Sequence, residues 1–273
     1  MSSPELRPAP PAGPRWIELV EREPLGPRLV RLWFRGAALD AAAVWPGAHI
    51  KLFFPRPGRP RFELPRREAT GVVWPAPERR PVARSYSLRA HDPVRDLIAV
   101  EMVLHQPAGP ASAWAAAARP GARIGLAGPG GPRPLLAPAP AHLLAGDLSA
   151  LPAIAAVLEA LPAGVEARVF LEIETDAERI ALPSAAAVDC RWLCRRPGDA
   201  SPLPEAVAAA GPPGPRFSAL VAGENAAVLA LRRLLRVEWG LPKALCYAVP
   251  YWRIGADEER YHDERHAVMD SEP

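Results

Sequence analysis

Four stretches of the sequence combine residue types that can do chemistry together. The first is Arg84-Ser85-Tyr86-Ser87-Leu88-Arg89. Strand alternation puts Arg84, Tyr86 and Leu88 on one face. Tyr86 can lie against a flat heteroaromatic ring, Ser87 can hydrogen-bond its polar edge, and Arg84 can pair with a pyrophosphate, which together are the needs of a flavin dinucleotide. The same residues also make an ordinary barrel strand with an exposed arginine and tyrosine. The second stretch runs from His105 through Gln106-Pro107-Ala108-Gly109-Pro110 to Ala111-Ser112-Ala113-Trp114. There a strand enters a Gly-Pro turn and then a helix. Gly109 lets backbone approach a ligand, and the amides of a first helical turn make an anion site. A proline-started cap with Trp114 in the core accounts for it equally well.

The third stretch is Leu143-Leu144-Ala145-Gly146-Asp147-Leu148-Ser149-Ala150, a strand, a turn and a helix start. In open parallel sheets ligands bind beyond the carboxyl ends of strands. Gly146 lets a nucleotide approach, and Ser149 can cap the helix. No G-x-G-x-x-G fingerprint is present, so a standard pyrophosphate turn is not supported. Ala222-Gly223-Glu224-Asn225 is a similar strand end. The fourth stretch is Pro250-Tyr251-Trp252-Arg253-Ile254-Gly255, whose aromatic pair can cover a flavin, line a substrate mouth or simply pack.

The elements that must position these residues fall into two textures. From Arg15 to about Pro138 the pattern is β. Arg15–Glu23, Arg28–Phe34, Ala48–Phe54, Val82–Arg89, Leu97–His105 and Ala122–Ala127 read as strands separated by Pro/Gly clusters, with one helix at Pro110–Ala118. This predicts an antiparallel β-barrel over residues 15–138. From Ala141 strands and helices alternate. Strands are expected at Leu143–Ala145, Ala167–Ile173, Val188–Leu193, Phe217–Ala222 and Leu245–Val249. Helices are expected at Ser149–Leu161, Leu203–Ala210 and Asn225–Glu238. This predicts a parallel-sheet α/β domain over residues 141–255. Pro132–Pro140 reads as the linker, residues 1–14 as a disordered arm and residues 256–273 as a charged tail.

Composition narrows the function. The 273 residues carry a net charge of +3, with 36 prolines and three cysteines. So mild a charge excludes the basic stripe of a nucleic-acid binder. Lys51 and Lys243 are the only lysines, so recognition of anions falls chiefly to arginine. Cys190, Cys194 and Cys246 give no disulfide framework and no zinc spacing, and Cys190 and Cys194 read as buried strand residues. The first residues lack a signal-peptide pattern, and the longest apolar run, 142–161, is broken by Asp147 and Pro152. A cytoplasmic monomer without membrane insertion is expected.

In this order the segments resemble the siderophore-interacting protein family of FAD-binding ferric-siderophore reductases, within the ferredoxin-reductase-like superfamily. The pieces are R-S-Y-S-L-R at 84–89, V-L-H at 103–105 with G-P-A-S-A-W-A at 109–115, and P-G-A-R-I-G-L-A-G-P-G-G at 120–131. L-L-A-G-D-L-S-A-L-P-A-I at 143–154, V-A-G-E at 221–224 with L-R-R-L-L-R at 231–236, and Y-W-R-I-G at 251–255 complete the set. The resemblance implies an FAD-binding barrel followed by a nucleotide-binding α/β domain, with FAD as cofactor and NAD(P)H or reduced ferredoxin as electron donor. A ferric siderophore is the implied substrate. It further implies that Arg84, Tyr86 and Ser87 hold the flavin. The pyrophosphate and adenine side falls to His105, Gly109, Pro110, Ala111, Ser112 and Trp114. Gly146, Asp147, Ser149 and Ala150 would face the nicotinamide nucleotide, and Lys51 and Arg253 are the candidates for a basic substrate pocket. Gln106-Pro107 stands where the family usually has glycine after the histidine, and Leu148-Ser149 where it often has Glu-Thr. Two other functions fit the same residues: a general NAD(P)H- or ferredoxin-linked flavin reductase, and a siderophore- or flavin-binding module without turnover.

Overall fold

The computed structural model describes residues 13–40 and 44–256. The expected arm and tail therefore lie almost wholly outside the described residues.

The first half is strand-rich because apolar residues recur at every second position between Pro/Gly turns. β1 (Arg15–Pro24), β2 (Leu29–Arg35), β3 (His49–Phe54), β6 (Val82–Ser87), β7 (Ala90–Asp92), β8 (Leu97–Val103) and β9 (Arg123–Gly130) form one antiparallel sheet in the order β6-β3-β9-β1-β2-β8-β7. The chain after β6 closes it. Leu88 N–H donates to Ala48 O on the β3 side at 2.7 Å, and Arg89 N–H donates to Ala99 O in β8 at 2.9 Å. Ile17, Leu19, Leu32, Phe34, Ile50, Leu52, Phe54, Val100 and Leu126 fill the interior, and α1 (Pro110–Ala117) packs on it through Ala111 and Ala115. Truncating such a buried leucine costs ~2–5 kcal/mol.

A small hairpin, β4 (Arg66–Glu68) with β5 (Gly71–Val73), lies between the two proline clusters after β3 and was not expected from the sequence. All six of its strand residues are exposed, so it has no alternating face to read.

The second half is a parallel sheet in the order β12-β11-β10-β13-β14. Its strands are β10 (Ala141–Gly146), β11 (Glu166–Ile173), β12 (Ala187–Cys194), β13 (Phe217–Glu224) and β14 (Cys246–Trp252), and its helices are α2 (Leu151–Ala160), α3 (Leu203–Ala210) and α4 (Asn225–Arg233). The near-continuous apolar runs of β10 and β13 are those of strands covered on both faces. From β10 the chain winds outward to β11 and β12, then returns to β13 on the other side. The crevice at the carboxyl ends of β10 and β13 is therefore a topological switch point.

Two expectations need correction, and the linker has a packing role of its own. The single helix expected over Asn225–Glu238 stops at Arg233, and Leu234–Glu238 continues as a π turn. Its apolar stripe, Val228, Leu231, Leu234 and Leu235, runs through the break and masks it. Cys194 is exposed at the end of edge strand β12 and not buried. The linker is packed, because Leu135 and Leu136 are buried in a core shared with Leu29 of the barrel and Leu151, Ile154 and Leu158 of α2.

Two arginine clasps hold the halves together. Arg28 ahead of β2 pairs with Glu178 and, at 2.6 Å, with Glu174 beyond β11. Arg89 forks onto Glu159 in α2 at 2.8 and 2.5 Å, a bidentate geometry suited to guanidinium.

Candidate functional site

In β6, Arg84 stands opposite Leu52 of β3, and Tyr86 opposite Ile50. Both β3 residues are buried, so Arg84 and Tyr86 share the inward side of the sheet, at the end where α1 closes it. Phe54 links the first two stretches: its ring meets Tyr86 edge-on at 6.2 Å and Trp114 at 5.6 Å. Trp114 also stacks on Phe34 at 6.2 Å, so its ring serves the core.

The strand-to-helix turn divides its tasks. Gly109 sits at the N-cap of α1 and no side chain caps the helix, so the first-turn amides of Ala111 and Ser112 are not taken by a cap. His105 is exposed. Its Nδ1 donates to Pro107 O at 2.9 Å, and its Cε1–Nε2 edge lies beside Gly109. Ser112 is buried, and its Oγ accepts from His105 N–H at 3.1 Å, strapping the end of β8 to α1. What this turn offers a ligand is thus His105, the surface of Gly109 and Pro110, and backbone amides. The side chains of Ala111, Ser112 and Trp114 face inward.

At the switch point the carboxylate of Asp147, 8% exposed, gathers four donors. Oδ1 accepts from Ser149 N–H at 2.8 Å and from Ser149 Oγ–H at 2.5 Å. Oδ2 accepts from Glu224 N–H at 2.9 Å and from the indole Nε1–H of Trp252 at 2.7 Å. Glycine is required on both sides. A Cβ on Gly146 would sit 2.5 Å from Ala222 O, and one on Gly223, where φ is +131°, would sit 2.7 Å from Asp147 Oδ2. Ser149 does not cap α2, which starts at Leu151 without a side-chain cap; its hydroxyl is spent on Asp147. Ala150 is fully buried. Of the third stretch, Asp147 and Ser149 line the crevice, while Gly146 and Ala150 make room for it.

The C-terminal strand brings both halves to one place. Trp252 reaches Asp147, and the hydroxyl of Tyr251 hydrogen-bonds with Ser87 of β6 and with Tyr247. Burial, followed by the neighbouring Tyr247, raises the Tyr251 pKa well above that of a free tyrosine, so this phenol stays protonated. Glu224 accepts from Ala226 and Ala227 N–H at the start of α4, and from Ile254 N–H at 3.3 Å. Ser87, Asp147, Glu224, Tyr251 and Trp252 therefore form one polar seam across the cleft. Glu224 and the Ser87–Tyr251 contact were not singled out from the sequence. The Ala222–Asn225 strand end was the only signal for the first, and nothing local marks the second.

Lys51 projects from β3 opposite Ser85, on the same face as His49 opposite Ser87; Arg253, exposed, follows Trp252. Ser87 stands opposite His49, two residues before Lys51, and Tyr251 lies two residues before Arg253. Among the described residues there is no cluster of His, Cys, Asp and Glu arranged for a metal ion and no helix long and apolar enough to cross a membrane.

A closed antiparallel barrel and a parallel α/β sheet that share a cleft at a strand-end crevice give the fold of ferredoxin reductases, such as a ferredoxin NADP+ reductase from Neisseria gonorrhoeae, with a TM-score of 0.62 and 15% identity over 88% of this chain and 100% of the other. Residues 18–133 match the siderophore-interacting FAD-binding domain, and residues 139–255 match the siderophore-interacting protein domain that follows it. The chain belongs to the siderophore-interacting protein family. It is 39% identical over 267 residues to the ferric vibriobactin reductase ViuB of Vibrio cholerae, covering 95% of this chain and 96% of that one. Its fold matches the siderophore-interacting protein SipS from Aeromonas hydrophila with a TM-score of 0.84 and 33% identity, over 95% of this chain and 99% of the other. A siderophore utilization protein from T. fusca matches with a TM-score of 0.77 and 31% identity, over 89% and 94% of the two chains.

Proposed function

We propose that this protein is an FAD-dependent ferric-siderophore reductase that reduces chelated Fe(III) to Fe(II) and so releases the iron. The observation that carries this is the convergence of barrel strand β6, helix α1 and the strand-end crevice on one cleft, joined by Ser87–Tyr251 and Asp147–Trp252. The similarity to ViuB supports the same chemistry.

The donor set suits FAD. Tyr86 offers a ring face, Ser87 a hydroxyl, Arg84 a fixed cation for the pyrophosphate, and the uncapped amides of α1 an anion cradle backed by the helix dipole. Bound there, FAD supplies a carrier that accepts a hydride or single electrons and passes electrons on singly. The chain orients that carrier and excludes water through the apolar walls of Phe54 and Tyr86. NAD(P)H reaching the crevice between β10 and β13, or reduced ferredoxin at the cleft mouth, fits as electron donor. Lys51 and Arg253 supply positive charge where a bulky anionic chelate must approach. Fe(II) is held far more weakly by hard oxygen chelators than Fe(III), so reduction is release.

An anaerobic spectrum decides it. Purified protein loaded with FAD is mixed with NADH, NADPH or reduced ferredoxin in turn, then with a ferric catecholate and a ferrous trap. Bleaching of the yellow colour by a donor, and its return as the trap develops, is the expected result. Protein that cannot be loaded with FAD, or whose bleached form is not reoxidised by any ferric chelate, rules the function out.

A further inference from the structure

We propose that the hairpin Arg66–Val73 is a membrane-docking element that seats the protein peripherally on a surface of anionic lipid. The chain between β3 and β6 carries the charge for this. Residues 55–80 hold seven arginines against three glutamates, a net +4, whereas the whole chain carries +3. One of those glutamates, Glu63, is paired with Arg79. Arg59, Arg61, Arg66 and Arg67 are exposed and make no ion pair among the described residues.

The apolar part of the patch is built in two layers. On the outer face of the barrel, Trp16 of β1, Gly125 of β9 and Phe53 of β3 stand side by side in register. The loop after β3 lies over this row. Phe62 rests on Trp16 with ring centroids 4.9 Å apart, Leu64 fills the space that a Cβ on Gly125 would need, and Trp74 meets Phe53 edge-on at 6.0 Å. These contacts lie on both sides of the hairpin in sequence, so β4 and β5 stand out from the barrel on a fixed base. The hairpin is the second layer. Val72 is 55% exposed, Val73 42% and the adjoining Trp74 37%. Across the ribbon Arg66 pairs with Val73 and Arg67 with Val72, so each side presents one guanidinium beside one valine. Arg80 lies over the Trp74 ring at 5.8 Å and Arg123 over Trp16 at 5.5 Å.

This composition fits a lipid headgroup layer. A projecting ribbon of six exposed strand residues is narrow beside the ~800 Å² that each partner gives to a standard protein interface. Guanidinium forks onto phosphate oxygens, and its stem can lie along valine and indole while the head stays among the headgroups. Tryptophan favours the same boundary, and the valines enter the first part of the acyl layer. The row beneath the loop continues through Ala83 of β6, four residues or ~13 Å short of Ser87. Docking by this face therefore leaves the cleft edge at Ser87–Tyr251 clear of the lipid.

The test measures partition of the holoprotein into vesicles of phosphatidylcholine alone and of phosphatidylcholine with an equal part of phosphatidylglycerol. Binding should appear only with the anionic lipid and should weaken as salt is added. Arg66→Gln with Arg67→Gln should lower the partition coefficient roughly 30-fold, at about fivefold per arginine. Arg196→Gln with Arg216→Gln removes the same charge from exposed positions of the α/β half and should lower it by less than about threefold. Val72→Ser with Val73→Ser should lower it about tenfold while leaving binding to soluble polyglutamate, an acidic polymer with no apolar layer, unchanged. Bromine-labelled lipid should quench the tryptophan fluorescence of the wild type more than that of Trp74→Phe. The substituted side chains are all exposed, so these variants keep the core intact. Absence of partition into anionic vesicles, equal losses in the two arginine pairs, wild-type partition in the valine pair, or quenching unchanged in Trp74→Phe overturns membrane docking. Wild-type protein that binds polyglutamate but no vesicle, with that binding lost in Arg66→Gln with Arg67→Gln, also overturns it and assigns the patch to an acidic protein.

Discussion

The indole Nε1–H of Trp252 donates to Asp147 Oδ2 at 2.7 Å across 105 residues of sequence, and the adjacent Tyr251 hydroxyl meets Ser87 of the barrel. One dipeptide thus ties the end of β14 to the start of the α/β sheet and to barrel strand β6. The donor is matched to a nearly buried carboxylate whose other lone pairs are already used. Trp252→Phe keeps most of the ring and removes only this donor. It should cost ~1.5–3 kcal/mol, the range for a hydrogen bond to a charged group. Urea unfolding of the holoprotein measures it, and a loss below ~0.5 kcal/mol means the bond is not formed in solution.

Arg84→Ala and Tyr86→Ala should each weaken FAD. The two side chains lie on the same side of β6, and Tyr86 meets Trp114 of α1 through Phe54, so one variant removes a cation and the other a ring face. Losing such an interaction at a shielded site costs ~1.5–3 kcal/mol, or roughly tenfold to a hundredfold in affinity. Fluorescence titration of stripped protein with FAD gives the numbers. Wild-type affinity in both variants displaces the flavin from β6.

Gly109 and Gly36 separate a ligand requirement from a backbone one. Gly109 has φ −73°, which any residue adopts, and a Cβ there would make an ordinary 3.7 Å contact with His105 Cε1. Gly36 has φ +79°, a region that costs a β-branched residue strain. Gly36→Val should therefore lower the Tm of stripped protein more than Gly109→Val does. Gly109→Val should instead lower flavin content, because its added methyls stand where backbone must approach the pyrophosphate. Equal flavin content in the two variants removes the turn from the phosphate site.

Lys51→Ala and Arg253→Ala should raise KM for an anionic ferric chelate while leaving FAD bound. Charges at a cleft mouth act over a screening length of ~8–10 Å near physiological ionic strength. The rise in KM should thus be largest at low salt and shrink as salt is added. Steady-state reduction of a catecholate chelate at two ionic strengths checks it, and unchanged KM in both variants at low salt takes them out of the substrate site.

What was legible in the sequence follows what local physics encodes. Alternation in Leu29–Arg35 marked a barrel strand, because one face is buried and the other is wetter, whereas Leu97–Val103 is buried on both faces, with Glu101 held by Arg31. The hairpin Arg66–Val73 stayed hidden because neither of its faces is buried. In the site, the residue types of R-S-Y-S and G-P-A-S-A-W marked two segments that Phe54 brings together, but direction was not encoded. Ser112 and Trp114 turn inward because Phe34 and Phe54 are there to receive the indole and the end of β8 to receive the hydroxyl. Asp147 was singled out as a nucleotide contact, yet its partners Trp252 and Glu224 come from strands that only the sheet order places beside it.

His142 provides a pH test of the α/β core. It is buried in β10, and its Nδ1 lies 2.9 Å from Ser218 Oγ, which in turn donates to Ala137 O at 2.6 Å. The hydroxyl proton is thereby committed, so Nδ1 carries the hydrogen of a neutral imidazole and donates it. Adding a second proton at Nε2 would place a charge in an apolar strand pair, and burial accordingly lowers the His142 pKa from its ordinary value. A depressed folded-state pKa means that the unfolded chain takes up the proton first. The contribution of neutral His142 is fully present above ~6.5 and is lost as pH falls below it, by up to ~1.4 kcal/mol per pH unit until the folded form also titrates. His142→Gln keeps an amide that can donate to Ser218 and cannot titrate. Between pH 7.5 and 5.5 the wild-type protein should lose more stability than this variant in paired urea unfolding curves. Parallel losses mean that His142 titrates in the folded protein as it does in the unfolded chain.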